Sequence, residues 1–118
     1  MKPLPWIAAA LLATPAWSQA HDYPTSERVT YVEACMRDNP GHHYEMLNKC
    51  SCVIDTIARD VPYDDYVTMS TAANATSIAG ERGNLIRDAE PLQVQVRKFR
   101  QLQSQARQTC MIDLHAPR

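Results

Sequence analysis

Four cysteines constrain the fold of this 118-residue chain more than any other feature. They are Cys35, Cys50, Cys52 and Cys110, and an even number in a short chain is typical of a disulfide framework formed in an oxidising compartment. In the chain-entropy model, a bridge across about 15 residues contributes about 3 kcal/mol, and a bridge across about 60 residues contributes about 4 kcal/mol. Because a small domain is stable by only about 5–10 kcal/mol, we expect two bridges to decide whether this fold is stable.

The first twenty residues have the features of a secretory signal. Lys2 gives a basic start, an apolar run extends from Ile7 to Ala16, and Ser18 and Ala20 are the small residues that a signal peptidase recognises. The apolar run is too short to cross a bilayer, which takes about 20 residues. We therefore predict a cleaved signal peptide over residues 1–20 and a single helical domain over 21–118. The expected location is periplasmic or secreted, with no membrane span in the mature chain.

The net charge of the predicted mature chain is small. Without Lys2 the chain has 11 basic and 13 acidic residues, a net charge of −2, so bulk electrostatics does not favour binding to nucleic acid. The charges are uneven, since residues 21–65 contain nine acids and four bases whereas residues 66–118 contain four acids and seven bases. Such asymmetry is typical of two differently solvated faces. The alternative is an acidic face offered to a basic partner.

Apolar residues recur at three- and four-residue spacing along most of the chain, which predicts helices. Asn39-Pro40-Gly41 ends the first helix, because proline cannot continue it and glycine permits a turn. A second turn is expected over Gly80-Glu81-Arg82-Gly83, before a short helix from Asn84 to about Ala89. The expected fold class is all-α, a small four-helix disulfide-stapled bundle. Its main helices are expected from Thr25 or Ser26, from about Tyr44 to Asp60, from about 62 to 79, and from Pro91 onward.

Cys50 and Cys52 lie on different faces of the second predicted helix. Two positions correspond to a rotation of about 200°, which places Cys50 with Leu47 on the apolar face and Cys52 on the other side. The helix therefore offers its two thiols to two different neighbours. We expect the pairing Cys50–Cys110 with Cys35–Cys52. The close alternative is Cys35–Cys50 with Cys52–Cys110, because a helical hairpin brings Cys35 near the start of the second helix.

Histidines at the predicted mature N-terminus and before the second helix are candidates for a metal site. A terminal His21 would chelate copper through its amino nitrogen and its imidazole, and imidazole with thioether is a suitable ligand set for copper. His42, His43 and Met46 complete the candidate ligands, with His42 and Met46 four residues apart. The simpler interpretation is polar residues at a helix start beside a core methionine. We therefore expect no cofactor, with copper as the alternative.

Thiol exchange and acid–base catalysis have less support in the sequence. Cys50-Ser51-Cys52 would serve thiol–disulfide exchange if one thiol had a lowered pKa at a helix N-terminus, but this pair lies inside the helical pattern. The chain contains no G-x-S-x-G, H-E-x-x-H or phosphate-loop motif. We therefore expect a protein that is not an enzyme.

The function we expect is that of a small exported accessory or interaction module that acts by binding. The favoured contacts for a protein partner in the periplasm are acidic residues with Tyr63 and Tyr66 as aromatic anchors, namely Asp60, Asp64 and Asp65. The alternative partner surface is the polar Gln/Arg face of the last helix. The simpler interpretation of Asp64 and Asp65 is charge at a helix start. A periplasmic copper protein is the second hypothesis, and a thiol–disulfide oxidoreductase is the third. The basic residues of the last helix are interpreted as a solvated face rather than a nucleic-acid or membrane surface: Arg97, Lys98, Arg100 and Arg107.

Overall fold

The computed structural model describes residues 23–78 and 80–112, which form five helices and no strand. The predicted signal peptide and His21 lie outside these residues. The all-α fold class is confirmed, and no helix in the described part of the chain is long and apolar enough to cross a bilayer. The helices are α1 (Thr25–Asp38), α2 (His43–Asp60), α3 (Tyr63–Ala75), α4 (Glu81–Asp88) and α5 (Glu90–Thr109).

The helix α4 corresponds to the short helix expected from Asn84 to about Ala89, but it begins at Glu81, within the predicted turn over residues 80–83, so the described part has five helices rather than a bundle of four. Gly80 has φ +89°, a left-handed conformation that other residues rarely adopt, so the turn is made there. Gly83 lies inside the helix and close to the preceding backbone: a Cβ on it would be 1.8 Å from the carbonyl oxygen of Ile78. The turn is therefore shorter than predicted, and Gly83 permits α4 to pack closely against residue 78.

Asn39 closes the hairpin that α1 and α2 form. Its backbone N–H donates to the carbonyl oxygen of Cys35 over 3.0 Å, and its Nδ2 donates to the same oxygen over 2.8 Å. The Oδ1 atom of Asn39 accepts a hydrogen bond from Nη2 of Arg107 in α5, over 2.8 Å. One side chain thus ends α1 and ties the hairpin to α5.

The core centres on α2, whose apolar face carries the most deeply buried side chains. Val53, Ile54 and Ile57 are at most 1% exposed. The hairpin partner α1 covers one side of α2, and α5 packs on both α2 and α3. The helix α2 therefore joins α1 to α5, and α3 and α4 pack on α5.

The two disulfides join α2 to α1 and to α5. Cys35 is bonded to Cys50, and Cys52 is bonded to Cys110, with a Cα–Cα distance of 5.8 Å in both bridges. The preferred pairing, Cys50–Cys110 with Cys35–Cys52, is therefore wrong. The short connection over residues 39–42 folds α1 back onto the face of α2 where Cys50 is fully buried, which leaves Cys52 for α5. The expectation that the two thiols meet different helices is confirmed.

An aromatic cluster fixes the segment before α1 against α3 and α5. The ring of Tyr23 lies 5.1 Å from the rings of both Tyr63 and Tyr66, and the ring of Tyr66 lies 5.9 Å from that of Phe99. The phenol of Tyr23 donates to the carbonyl oxygen of Val61 over 2.9 Å. Tyr23 thus holds the chain immediately before α1 to the end of α2.

We expect stability to fall in alkaline solution because of this cluster. Burial raises the pKa of Tyr23 to about 12 and raises the pKa of Tyr66 as well. A tyrosine in the unfolded chain ionises near pH 10, so above that pH the unfolded state loses protons that the folded state retains. The free energy of unfolding therefore decreases from about pH 10 towards about pH 12.

Urea denaturation at about pH 8 and at about pH 11 measures this effect. Tyr23→Phe should reduce the pH dependence, because it removes one of the two phenols of the aromatic cluster whose pKa is raised. Tyr44→Phe, at a residue that is 78% exposed, is the matched control and should leave the dependence unchanged. If Tyr23→Phe and the wild type lose the same free energy between the two pH values, the explanation is wrong.

Candidate functional site

The predicted metal ligands are divided between the surface and the core. His42 caps α2 and His43 begins it, and both side chains are exposed. Met46 is half-buried and packs against the core, as the simpler interpretation expected. The described residues contain no group of three or more His, Cys, Asp or Glu side chains that could hold a metal ion. The copper hypothesis remains a prediction that involves His21, which lies outside those residues.

All four cysteines are bonded, and three of them are buried. Cys50 is fully buried, Cys35 and Cys110 are nearly so, and Cys52 is half-buried in the bridge to α5. The Oγ1 atom of Thr56 lies 3.6 Å from Sγ of Cys110, within hydrogen-bonding distance for sulfur. Both bridges connect helices that pack against each other.

The predicted partner surface lies where α2 ends and α3 begins. We define the acidic corner as Asp60, Tyr63, Asp64 and Asp65. The three aspartates are exposed and Tyr63 is half-buried. Asp64 and Asp65 form no salt bridge with the residues that the structure describes. Tyr66 is only 4% exposed and belongs to the core, so the aromatic contribution to this surface is that of Tyr63.

A second, oppositely charged feature lies at the other end of α3. A cleft of about 340 Å³ opens between the end of α3, α4 and α5. We call it the basic cleft, because three of the six described residues that line it are arginines and none of those six is acidic. The lining residues are Thr76, Arg87, Gln93, Val96, Arg97 and Arg100.

Arg87 is held in place by the backbone at the end of α3. Its Nη1 donates to the carbonyl oxygen of Ile78 over 2.8 Å and to that of Thr76 over 3.5 Å, and its Nη2 donates to Oδ1 of Asn84. The carbonyl oxygen of Arg87 in turn accepts a hydrogen bond from Nε2 of Gln93 over 2.6 Å. The carbonyl oxygens that follow α3 and the side chain of Asn84 therefore fix the guanidinium, whereas Gln93 fixes the backbone of Arg87.

Arg97 and Arg100 come from α5 and share one face of it, because residues three apart are neighbours on a helix. Both side chains are exposed, and neither forms a salt bridge within the described ranges. Val96, which is 6% exposed, lines the same cleft. The sequence placed Arg97 and Arg100 on a solvated face of the last helix, with that face as the alternative partner surface, and indicated no role for Arg87. Only the packing of α4 on α5 brings the three together.

Comparison with protein families, with curated proteins and with solved structures finds no match to this chain. Its function must therefore be inferred from its own surfaces. The acidic corner and the basic cleft lie at opposite ends of α3, whose length is about 18 Å at 1.5 Å per residue.

Proposed function

We propose that this protein is a small exported accessory module that binds a protein partner through the acidic corner and catalyses no reaction. The observation that carries the proposal is the pair of exposed carboxylates of Asp64 and Asp65, which lie beside an aromatic ring and form no salt bridge with any side chain that the structure describes. Uncompensated charge of one sign steers a partner of the opposite sign and selects against others. The partner expected from this chemistry presents a basic surface.

The rigidity of the corner supports a binding role. The ring of Tyr63 packs 5.1 Å from that of Tyr23, whose hydroxyl is bound to the end of α2. A tyrosine held in this way loses little conformational entropy when it contacts a partner, and tyrosine is among the residues that contribute most to binding at interfaces. The bridges at Cys50 and Cys52 fix α2, which leads into the corner.

Charge reversal tests the proposal. Asp64→Lys with Asp65→Lys should weaken binding of the partner by about tenfold or more, because attraction becomes repulsion. Glu33→Lys with Asp38→Lys changes the net charge by the same amount on the exposed side of α1 and should retain binding. The measurement is crosslinking and affinity capture from a periplasmic extract of the host, followed by titration of the recovered partner at low and high salt.

A second variant separates loss of binding from loss of structure. Asp64→Asn with Asp65→Asn removes the charge while preserving the size of the side chains in the first turn of α3, and circular dichroism checks that the helices are intact. If the lysine variant retains every partner that the wild type captures, the acidic corner is not the binding surface and the proposal is overturned.

A further inference from the structure

We propose that the basic cleft binds a small ligand through a phosphate group. The cleft, of about 340 Å³, falls within the range of about 300–1,000 Å³ that is usual for small-molecule sites. It lies at the opposite end of α3 from the acidic corner, and its occupancy does not depend on the function proposed for that corner.

The charge of the cleft indicates an anionic ligand. Arg87, Arg97 and Arg100 line it, and no carboxylate balances them among the lining residues whose side chains the structure describes. Like charges gathered in this way repel one another, and a bound oxyanion removes that repulsion. The planar fork of a guanidinium matches two oxygens of such a group at once, which gives arginine its preference for phosphate and carboxylate.

A phosphate fits three guanidinium groups better than a single carboxylate does. A phosphate ester carries a charge of about −1.5 to −2 and three acceptor oxygens, whereas a carboxylate carries one charge and two oxygens. The hydrogen bonds of Arg87 to the backbone and to Asn84 use three of its five N–H donors. Arg87 therefore retains two donors, and Arg97 and Arg100 are both without a salt-bridge partner among the described residues.

The local backbone also favours an anion once Arg87 is in place. The carbonyl groups at the end of α3 alone would repel an anion, because the C-terminal end of a helix is negative. Arg87 binds the carbonyl oxygens of Thr76 and Ile78 and so offsets that charge. Gln93, in the first turn of α5, lines the cleft near the positive end of that helix. Val96 offers an apolar surface for the remainder of the ligand.

Titration with inorganic phosphate, followed by backbone amide shifts in NMR at constant ionic strength, tests the site. We expect saturable shifts at Thr76, at Arg87 and between Gln93 and Arg100. Arg97→Gln with Arg100→Gln should weaken the affinity at least about tenfold, because each removes a charged hydrogen-bond donor. Both side chains are exposed, so this variant is expected to fold. The matched control, Arg37→Gln with Lys98→Gln, removes the same charge from exposed residues outside the cleft lining.

Each outcome decides the proposal. Saturable shifts that Arg97→Gln with Arg100→Gln abolishes and the control retains support it. Shifts that do not saturate, or equal weakening in both variants, overturn it, because they show only general attraction of anions. Vesicles of phosphatidylglycerol, compared with phosphatidylcholine, then distinguish a lipid headgroup from a soluble phosphate as the source of the group. Asp64→Lys with Asp65→Lys should leave phosphate binding intact, which separates this proposal from the proposed partner surface.

Discussion

Replacing both Cys52 and Cys110 by alanine is expected to lower the free energy of unfolding by about 4 kcal/mol. The bridge closes a loop with a sequence separation of 58 residues, and its removal gives the unfolded chain the conformational freedom of that loop. The same change releases the end of α5 from α2, where Cys110 is buried beside Thr56. This loss is a large part of the about 5–10 kcal/mol by which a small domain is stable. Urea denaturation followed by circular dichroism measures it.

The second bridge gives an internal comparison. Alanine at Cys35 and Cys50 removes a bridge with a separation of 15 residues, for which loop closure alone contributes about 3 kcal/mol. Because Cys50 is fully buried, a cavity adds to that loss. If removal of the Cys52–Cys110 bridge lowered the free energy of unfolding by less than about 1 kcal/mol, the prediction would be wrong. The packing of α5 would then hold the bundle without its covalent link.

Tyr23→Ala is expected to destabilise the fold by about 3–5 kcal/mol, the range for truncating a large buried aromatic side chain. Tyr23 is 3% exposed, its ring packs on Tyr63 and Tyr66, and its hydroxyl is bound to the carbonyl oxygen of Val61. The substitution removes the ring and the hydrogen bond together. We expect the start of α1 to exchange amide hydrogens faster as a consequence, which hydrogen-exchange mass spectrometry detects.

Two further variants separate the contribution of the Tyr23 hydrogen bond from that of the packing of its ring. Tyr23→Phe removes only the hydrogen bond and should cost about 1 kcal/mol near neutral pH. Tyr44→Ala truncates a tyrosine that is 78% exposed and should change stability by no more than about 0.5 kcal/mol. A Tyr23→Ala variant as stable as Tyr44→Ala would contradict the packing described here.

The helices were predictable because their signals are local. The second helix was expected from about Tyr44 to Asp60 and extends from His43 to Asp60. The third was expected to about residue 79 but ends at Ala75. There the hydroxyl groups of Thr76 and Ser77 both donate to the carbonyl oxygen of Ala73, and such side-chain bonds compete with continuation of a helix. No proline marks this end, so hydrophobic spacing alone extended the helix too far.

The sequence predicts that the two cysteines of α2 bond to different helices, but it does not predict which cysteine bonds to which helix. The helical wheel shows that Cys50 and Cys52 face different directions, and the structure confirms it. The wheel does not show which neighbour lies in which direction, because that depends on the side of α2 onto which the 39–42 connection folds α1. The sequence shows that Cys50 lies on the apolar face of α2. Both α1 and α5 have apolar stripes that could pack against this face, so the pattern does not decide which of them does.

The surfaces were harder to predict than the helices. Tyr66 follows two aspartates and was placed beside them at a surface, yet its position three residues after Tyr63 turns it towards Tyr23 and Phe99. The basic cleft combines Arg87 with Arg97 and Arg100, which are ten and thirteen positions further along the chain. Local periodicity does not relate residues on two different helices, so the cleft became visible only from the packing of α4 against α5.

The two bridges also divide the chain from Cys35 to Cys110 into two consecutive covalent rings that meet at Ser51. Every peptide bond in this span lies in one ring or the other, except the two that flank Ser51. A protease that cuts once within either ring therefore opens the ring without separating the pieces. The turn between α3 and α4 lies inside the larger ring, so a molecule nicked there stays in one piece until a reductant reaches the Cys52–Cys110 bond.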